Sequence, residues 1–176
     1  MKKGKKMNMM LGAFIVLAIG MSGKLNAQGM TATDQDVTFT VRLNEAIGLE
    51  VLKTASVLEF SAPADYQNGV NKTETGALRV TSTRAYELKV KSRDANFTHS
   101  SGSTIAIGSL NVETPTVLTS NSMVVLSTAD QTIATGSAAI KKEIDLKYST
   151  NVANTDFIGK AQGDYTAALV YSVVTL

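Results

Sequence analysis

Asp164-Tyr165-Thr166-Ala167-Ala168-Leu169-Val170-Tyr171-Ser172-Val173-Val174-Thr175-Leu176 is the stretch that decides the fold class. Tyr165, Leu169, Tyr171 and Val173 share one parity, and Val170, Val174 and Leu176 share the other. Aromatic and β-branched side chains at this density favour extended backbone, whose side chains alternate between two faces. A strand apolar on both faces is expected inside a sheet, covered on each side.

Working outward, the same period of two recurs. Asp36-Val37-Thr38-Phe39-Thr40-Val41-Arg42-Leu43 places Val37, Phe39, Val41 and Leu43 on one face, the cleanest alternation in the chain. Asn44-Glu45 interrupts it, and Ile47, Leu49 and Val51 resume it. Val57, Leu58 and Phe60 suggest a further short strand. Ser61 to Thr75, with Pro63 and Asn68-Gly69, reads as a loop. Leu78 and Val80 alternate, as do Tyr86, Leu88 and Val90, with Ser82-Thr83-Arg84 between them as a candidate hairpin turn or bulge. Ile105, Ile107, Leu110, Val112, Met123 to Leu126 and Ile133 mark further short strands, and Pro115 fits a loop or an edge. Ala139 to Tyr148 is readable both ways: Ile140, Ile144 and Tyr148 have helical spacing, and with Leu146 they also share one strand parity. The Thr-rich surroundings favour the strand. Seven to ten short strands separated by turns predict an all-β domain, an immunoglobulin-like β-sandwich, over residues 36–176.

The other end of the chain predicts a destination. Lys2, Lys3, Lys5 and Lys6 precede an apolar run from Met9 to Met21, and Ser22 to Ala27 form a short polar tail. That is the layout of a cleaved signal peptide over residues 1–27. The run is shorter than the roughly 20 residues a spanning helix needs, so no transmembrane anchor is expected. Residues 28–35 read as a flexible leader. The mature chain would be exported to the periplasm, the cell surface or the extracellular space.

Charge and composition narrow the function. The whole sequence has 17 basic and 15 acidic residues. Cleavage after Ala27 removes five lysines and leaves 12 basic and 15 acidic residues, a net charge of −3. The balance gives no argument for nucleic acid as a partner. The sequence has no cysteine, which removes disulfides, thiolate metal sites, thiol nucleophiles and a lipid anchor on cysteine. Its one histidine is His99. A triad would need a nucleophile and an orienting acid around it, and the neighbouring Ser100, Ser101 and Ser103 do not form that pattern. G-x-S-x-G, the P-loop, the dinucleotide glycine pattern, H-E-x-x-H and S-x-x-K are all missing from the sequence. Asp34-Gln35-Asp36 lacks the glycine and bidentate Glu of a calcium loop. No enzyme activity, cofactor or metal is expected. Tyr148, Tyr165 and Tyr171 are a candidate platform for stacking sugars, with core packing as the plainer role.

The segment Gly163-Asp164-Tyr165 through Val173 resembles the closing strand of bacterial surface proteins, in which a Gly-x-Tyr opening leads into an alternating final strand. One such group is the pilin subunits of chaperone–usher pathways. A more distant one is the WxL cell-wall-binding domain. The chain departs from WxL in having Tyr171 where a tryptophan would stand, and from many pilins in having no disulfide. The resemblance implies an exported structural or adhesive subunit. Its partners would be other copies of this chain or related surface subunits, and a periplasmic chaperone. Cell-wall or extracellular glycan is the alternative partner. The resemblance also implies an N-terminal donor strand that completes a neighbour by β-strand addition. Val37, Phe39, Val41 and Leu43 supply that alternation, or else form an ordinary first strand of the protein's own sheet.

Overall fold

A computed structural model describes residues 38–116 and 118–176. The expected signal peptide, the leader and Val37 lie outside the described residues. The chain divides into two compact units, Met1–Val41 and Arg42–Leu176. All the secondary structure that follows belongs to the second unit.

That unit is all-β and sandwich-like. Eleven strands are present among the described residues, several only two or three residues long, against the seven to ten expected. β1 (Ile47–Val51), β2 (Asn71–Ser82), β10 (Ala139–Thr150), β6 (Leu110–Glu113) and β8 (Val124–Val125) form one sheet in that order. β11 (Leu169–Thr175), β3 (Tyr86–Ser92), β9 (Gln131–Gly136) and β7 (Ser120–Asn121) form the second. β4 (Asn96–Thr98) and β5 (Thr104–Ala106) make a small separate ribbon. Every pairing is antiparallel.

The core lies between the two large sheets. Leu78 and Val80 of β2, Val112 of β6, and Ile144 and Leu146 of β10 meet Tyr86, Leu88 and Val90 of β3 and Ile133 of β9. These side chains are buried, and they are the inward parity of their strands. On the outer face of the first sheet Arg79 binds Glu50 at 3.1 Å and Glu143 at 2.9 Å, tying β1, β2 and β10 together.

Five local expectations are corrected. Ser82-Thr83-Arg84 is not a hairpin turn, because β2 and β3 belong to different sheets. It is the corner where the chain crosses between them. Ser82 Oγ donates to Arg84 O, Thr83 N–H donates to Ala46 O, and Ala46 N–H donates to Thr83 Oγ1. Val57 to Phe60 forms no strand. The expected loop 61–75 contains α1 (Pro63–Asn68) and the start of β2. Pro63 occupies the first turn, and the Asp65 carboxylate accepts from the Ser61 and Ala62 N–H groups. Finally, Ile140 is 84% exposed although it shares parity with buried Ile144 and Leu146. A register shift between Ala139 and Lys142, with Lys141 at φ 51°, inserts an extra residue and turns Ile140 outward.

The fifth correction concerns the closing strand. Among the described residues β11 pairs with β3 alone, so there it is an edge strand and not the interior one expected. It starts at Leu169, and Tyr165 lies before it. Leu169, Tyr171 and Val173 do point inward and pack against the core, while Val174 and Leu176 are exposed. The apolar residues of the other parity, Val174 and Leu176, lie on the outward face and are not buried.

Candidate functional site

The described part of the donor segment carries no strand, and the first strand begins at Ile47. Phe39, Val41 and Leu43 are 86%, 68% and 89% exposed. An alternating apolar run left in water is costly, since each large side chain forgoes roughly 1.5–3 kcal/mol of burial.

A matching edge exists on the molecule. Arg93 N–H donates to Ala168 O, and Leu176 N–H donates to Ala85 O, at the two ends of the β11–β3 ladder. Antiparallel ladders alternate, so Ala168, Val170, Ser172, Val174 and Leu176 turn their amides toward β3. Leu169, Tyr171, Val173 and Thr175 turn theirs to the free edge. β1 repeats the arrangement. Leu52 N–H donates to Ala77 O and Thr83 N–H to Ala46 O, so Ile47, Leu49 and Val51 face their amides away from β2. The two edges neighbour each other along one side of the sandwich. On the opposite side the edge strands β7 and β8 are only two residues each. Very short edges are a common protection against unwanted pairing, and β11, with seven residues, lacks it.

The inward side chains at these edges are incompletely covered. Ile47 and Val51 are exposed, and Leu49, Leu169, Tyr171 and Val173 are half-buried, whereas their partners in β2 and β3 are fully buried. Glu45 closes the corner end of this side. Its carboxyl is held below the usual carboxylate range, first by a hydrogen bond from Thr175 and then by Arg84, which it meets at 3.2 Å.

The three tyrosines do not form a sugar platform. Tyr148 and Tyr171 face inward and bond to each other through their hydroxyls at 2.9 Å. Burial pushes both phenols up from the ordinary tyrosine range, Tyr171 the more strongly. The sign follows from linkage. The folded state holds these phenols neutral, while the unfolded chain ionises them near pH ~10. Their contribution to stability is complete below about pH 10 and falls as pH rises above it. The melting temperature is expected to drop progressively on the alkaline side, and the Tyr148→Phe/Tyr171→Phe variant to show a shallower drop. Identical alkaline slopes would contradict the assignment.

Tyr165 instead stacks on His99, with ring centroids 5.1 Å apart. Its hydroxyl donates to Ser103 Oγ or Ala161 O, each at 2.9 Å. His99 Nδ1 accepts from the Ser101 N–H at 3.1 Å, which puts the neutral ring's proton on Nε2. Ser101 Oγ stands 2.7 Å from the same Nδ1. Histidine, serine and tyrosine thus brace the loop around Gly163 and are not arranged as a relay with an acid. Among the described residues no group of three or more His, Asp or Glu side chains could hold a metal ion, and no helix is long and apolar enough to cross a membrane.

A second feature escaped sequence reading. Residues 60–67 and 153–162 enclose an open depression of about 730 Å³. Phe60 lines it, its ring tilted against those of Tyr66 at 5.0 Å and Phe157 at 4.6 Å. The two segments are far apart in sequence, and no local pattern announces that they meet.

No protein-family model matches the chain, and no curated protein matches it.

Proposed function

We propose that this protein is an exported structural subunit of a bacterial surface assembly, in which Val37–Leu43 of one copy adds as a strand to the free edge of β11 in the next. The observation that carries this reading is the pairing of exposed Phe39, Val41 and Leu43 with an unprotected seven-residue edge in the same chain. The lengths agree, since Val37 to Leu43 also spans seven residues. The chemistry agrees as well. Each of Leu169, Tyr171, Val173 and Thr175 offers one N–H and one C=O, and the donor's alternate side chains would cover the half-open inward residues of β1 and β11. Main-chain bonds give such contacts their strength, and the alternate side chains give them register. The sequence resemblance to pilin-like closing strands supports the same reading.

Native mass spectrometry of the purified protein tests it. A ladder of oligomers is expected, collapsing to monomer in Phe39→Asp and in Leu43→Asp. Because both residues are exposed in the single chain, the melting temperature of the monomeric variants should change little. Monomer at every concentration in the parent protein, or an unchanged ladder in both variants, would remove the proposal.

A further inference from the structure

We infer that the depression between α1 and residues 153–162 binds an uncharged oligosaccharide. The inference does not depend on the assembly reading, because the depression is built from different elements than the β1 and β11 edges.

Its chemistry comes first. None of the eleven residues that line it is charged. Phosphate, sulfate and uronate ligands need Arg, Lys or a built nest of N–H groups, and cationic ligands need carboxylates. A lining without either disfavours both. What it offers instead is two aromatic rings, Phe60 and Tyr66, and three side-chain amides, Gln67, Asn154 and Gln162. Each amide can donate and accept at once, which suits hydroxyl groups, themselves both donors and acceptors. Aromatic rings supply flat apolar faces for the C–H side of a pyranose, and tyrosine adds a polar tip. Tyr66 is 36% exposed, with Phe60 half-buried beneath it. Small-molecule sites generally combine apolar walls with a few such polar groups.

The shape agrees. The depression is wide and open, so a ligand in it keeps one side in water. A saccharide, whose outward hydroxyls stay hydrated, tolerates that. A lipid or an aromatic metabolite would lose most of its apolar burial.

The walls are held before any ligand arrives. Ala153 N–H donates to Gln67 O at 2.8 Å, joining the loop to α1 directly. Val70 N–H donates to Thr150 Oγ1 at 3.0 Å, and Thr150 N–H donates to Val70 O at 2.9 Å. Gly69 permits that approach. It has φ 74°, and a Cβ there would stand 2.7 Å from Thr150 O. On the loop side, buried Asn111 donates to Asn151 Oδ1 at 2.7 Å, and buried Ser109 donates to Asp156 Oδ2 at 2.6 Å. Ala153 sits between these tethers at φ 51°, a conformation non-glycine residues rarely adopt. Such a residue persists where its surroundings over-determine it, and functional sites are where such residues gather. A site fixed in advance loses less freedom on binding.

NMR titration of the protein expressed from the full-length sequence tests the inference, with cellotetraose and chitotetraose as neutral probes and tetragalacturonate as the anionic comparison. Amide shifts are expected only in residues 60–70 and 150–163, for at least one neutral probe. Tetragalacturonate should bind about tenfold more weakly or not at all, a difference of about 1.4 kcal/mol. Tyr66→Ala should weaken binding about tenfold, and Gln162→Ala about threefold. Gln162 is exposed, so its variant should keep the parent melting temperature. If Tyr66→Ala proves unstable, Gln162→Ala and Tyr66→Phe decide, the latter retaining the stacking ring. No shift with either neutral probe up to about 10 mM, beyond the weak millimolar end of affinities, overturns the inference. So do shifts centred on the β11 edge, or equal binding of tetragalacturonate.

Discussion

Ending the chain at Ala168 is expected to abolish the cooperative fold. β11 is the outermost strand of its sheet, yet Leu169, Tyr171 and Val173 pack against the core and cover Leu88 and Val90 of β3. Burying one large apolar side chain fully is worth roughly 1.5–3 kcal/mol. Three half-buried side chains, the cover they give to β3 and the Tyr148–Tyr171 hydrogen bond are together comparable to the about 5–15 kcal/mol that holds a typical domain. Circular dichroism of the truncated chain should therefore show no cooperative melt. Single substitutions resolve the faces. Val173→Asp puts a charge on the inward side and should lower stability by about 3 kcal/mol or more. Val174→Asp points outward, is already 44% exposed and should cost under about 1 kcal/mol, the range of ordinary surface changes. Equal costs for the two would mean that the register of β11 on β3 is wrong.

Gly136→Ala is expected to damage the core between β3 and β9. Gly136 lies opposite Tyr86 in the β3–β9 ladder. A Cβ on Gly136 would stand 2.7 Å from Tyr86 Cε1 and closer still to Cζ. Tyr86 is among the largest fully buried side chains, so its ring has little room to yield. Overpacking of a tight core costs about 1–3 kcal/mol. For a domain of this size that corresponds to a fall in Tm of roughly 2–4 °C per kcal/mol. Gly48→Ala is the control. It too lies in a strand, but nothing stands within 4 Å of its Cβ position. There the loss of glycine's freedom in the unfolded chain should leave stability unchanged or raise it by up to about 1 kcal/mol. A Gly136→Ala protein that melts with the parent would show that Tyr86 is not wedged against β9.

Most of the core was readable from parity alone. Leu78, Val80, Tyr86, Leu88, Val90, Ile144, Leu146 and Tyr148 are buried as their alternation requires. The Thr-rich surroundings chose the strand for Ala139–Tyr148, which the structure forms, and only the bulge at Lys141 displaces Ile140. What failed was anything set by long-range partners. Ser82 to Ala85 has hairpin-like composition, and nothing local says that the next strand joins another sheet. The two-sided apolar pattern of β11 cannot distinguish a covered interior strand from an edge strand. α1 is too short to show a helical period, and the run from Val57 to Phe60 carries β-type residues without a strand beside which to pair. The depression joins segments whose meeting depends on Gly69 and on the Asn111–Asn151 and Ser109–Asp156 bonds. The alternation of Val37, Phe39, Val41 and Leu43, by contrast, was visible at once, because a period of two is a purely local pattern.

The central claim is that this arm reaches the β11 edge of another copy. The absence of any native cysteine makes a direct test possible. One preparation carries Arg42→Cys within the arm, and a second, isotopically heavy, carries Ser172→Cys on β11. The two are mixed and treated with a short bis-maleimide linker. Heavy–light cross-linked pairs joining residue 42 to residue 172 are the predicted result, and Phe39→Asp in the first preparation should abolish them. Cross-links confined to like pairs, or heavy–light pairs unaffected by Phe39→Asp, would contradict the account.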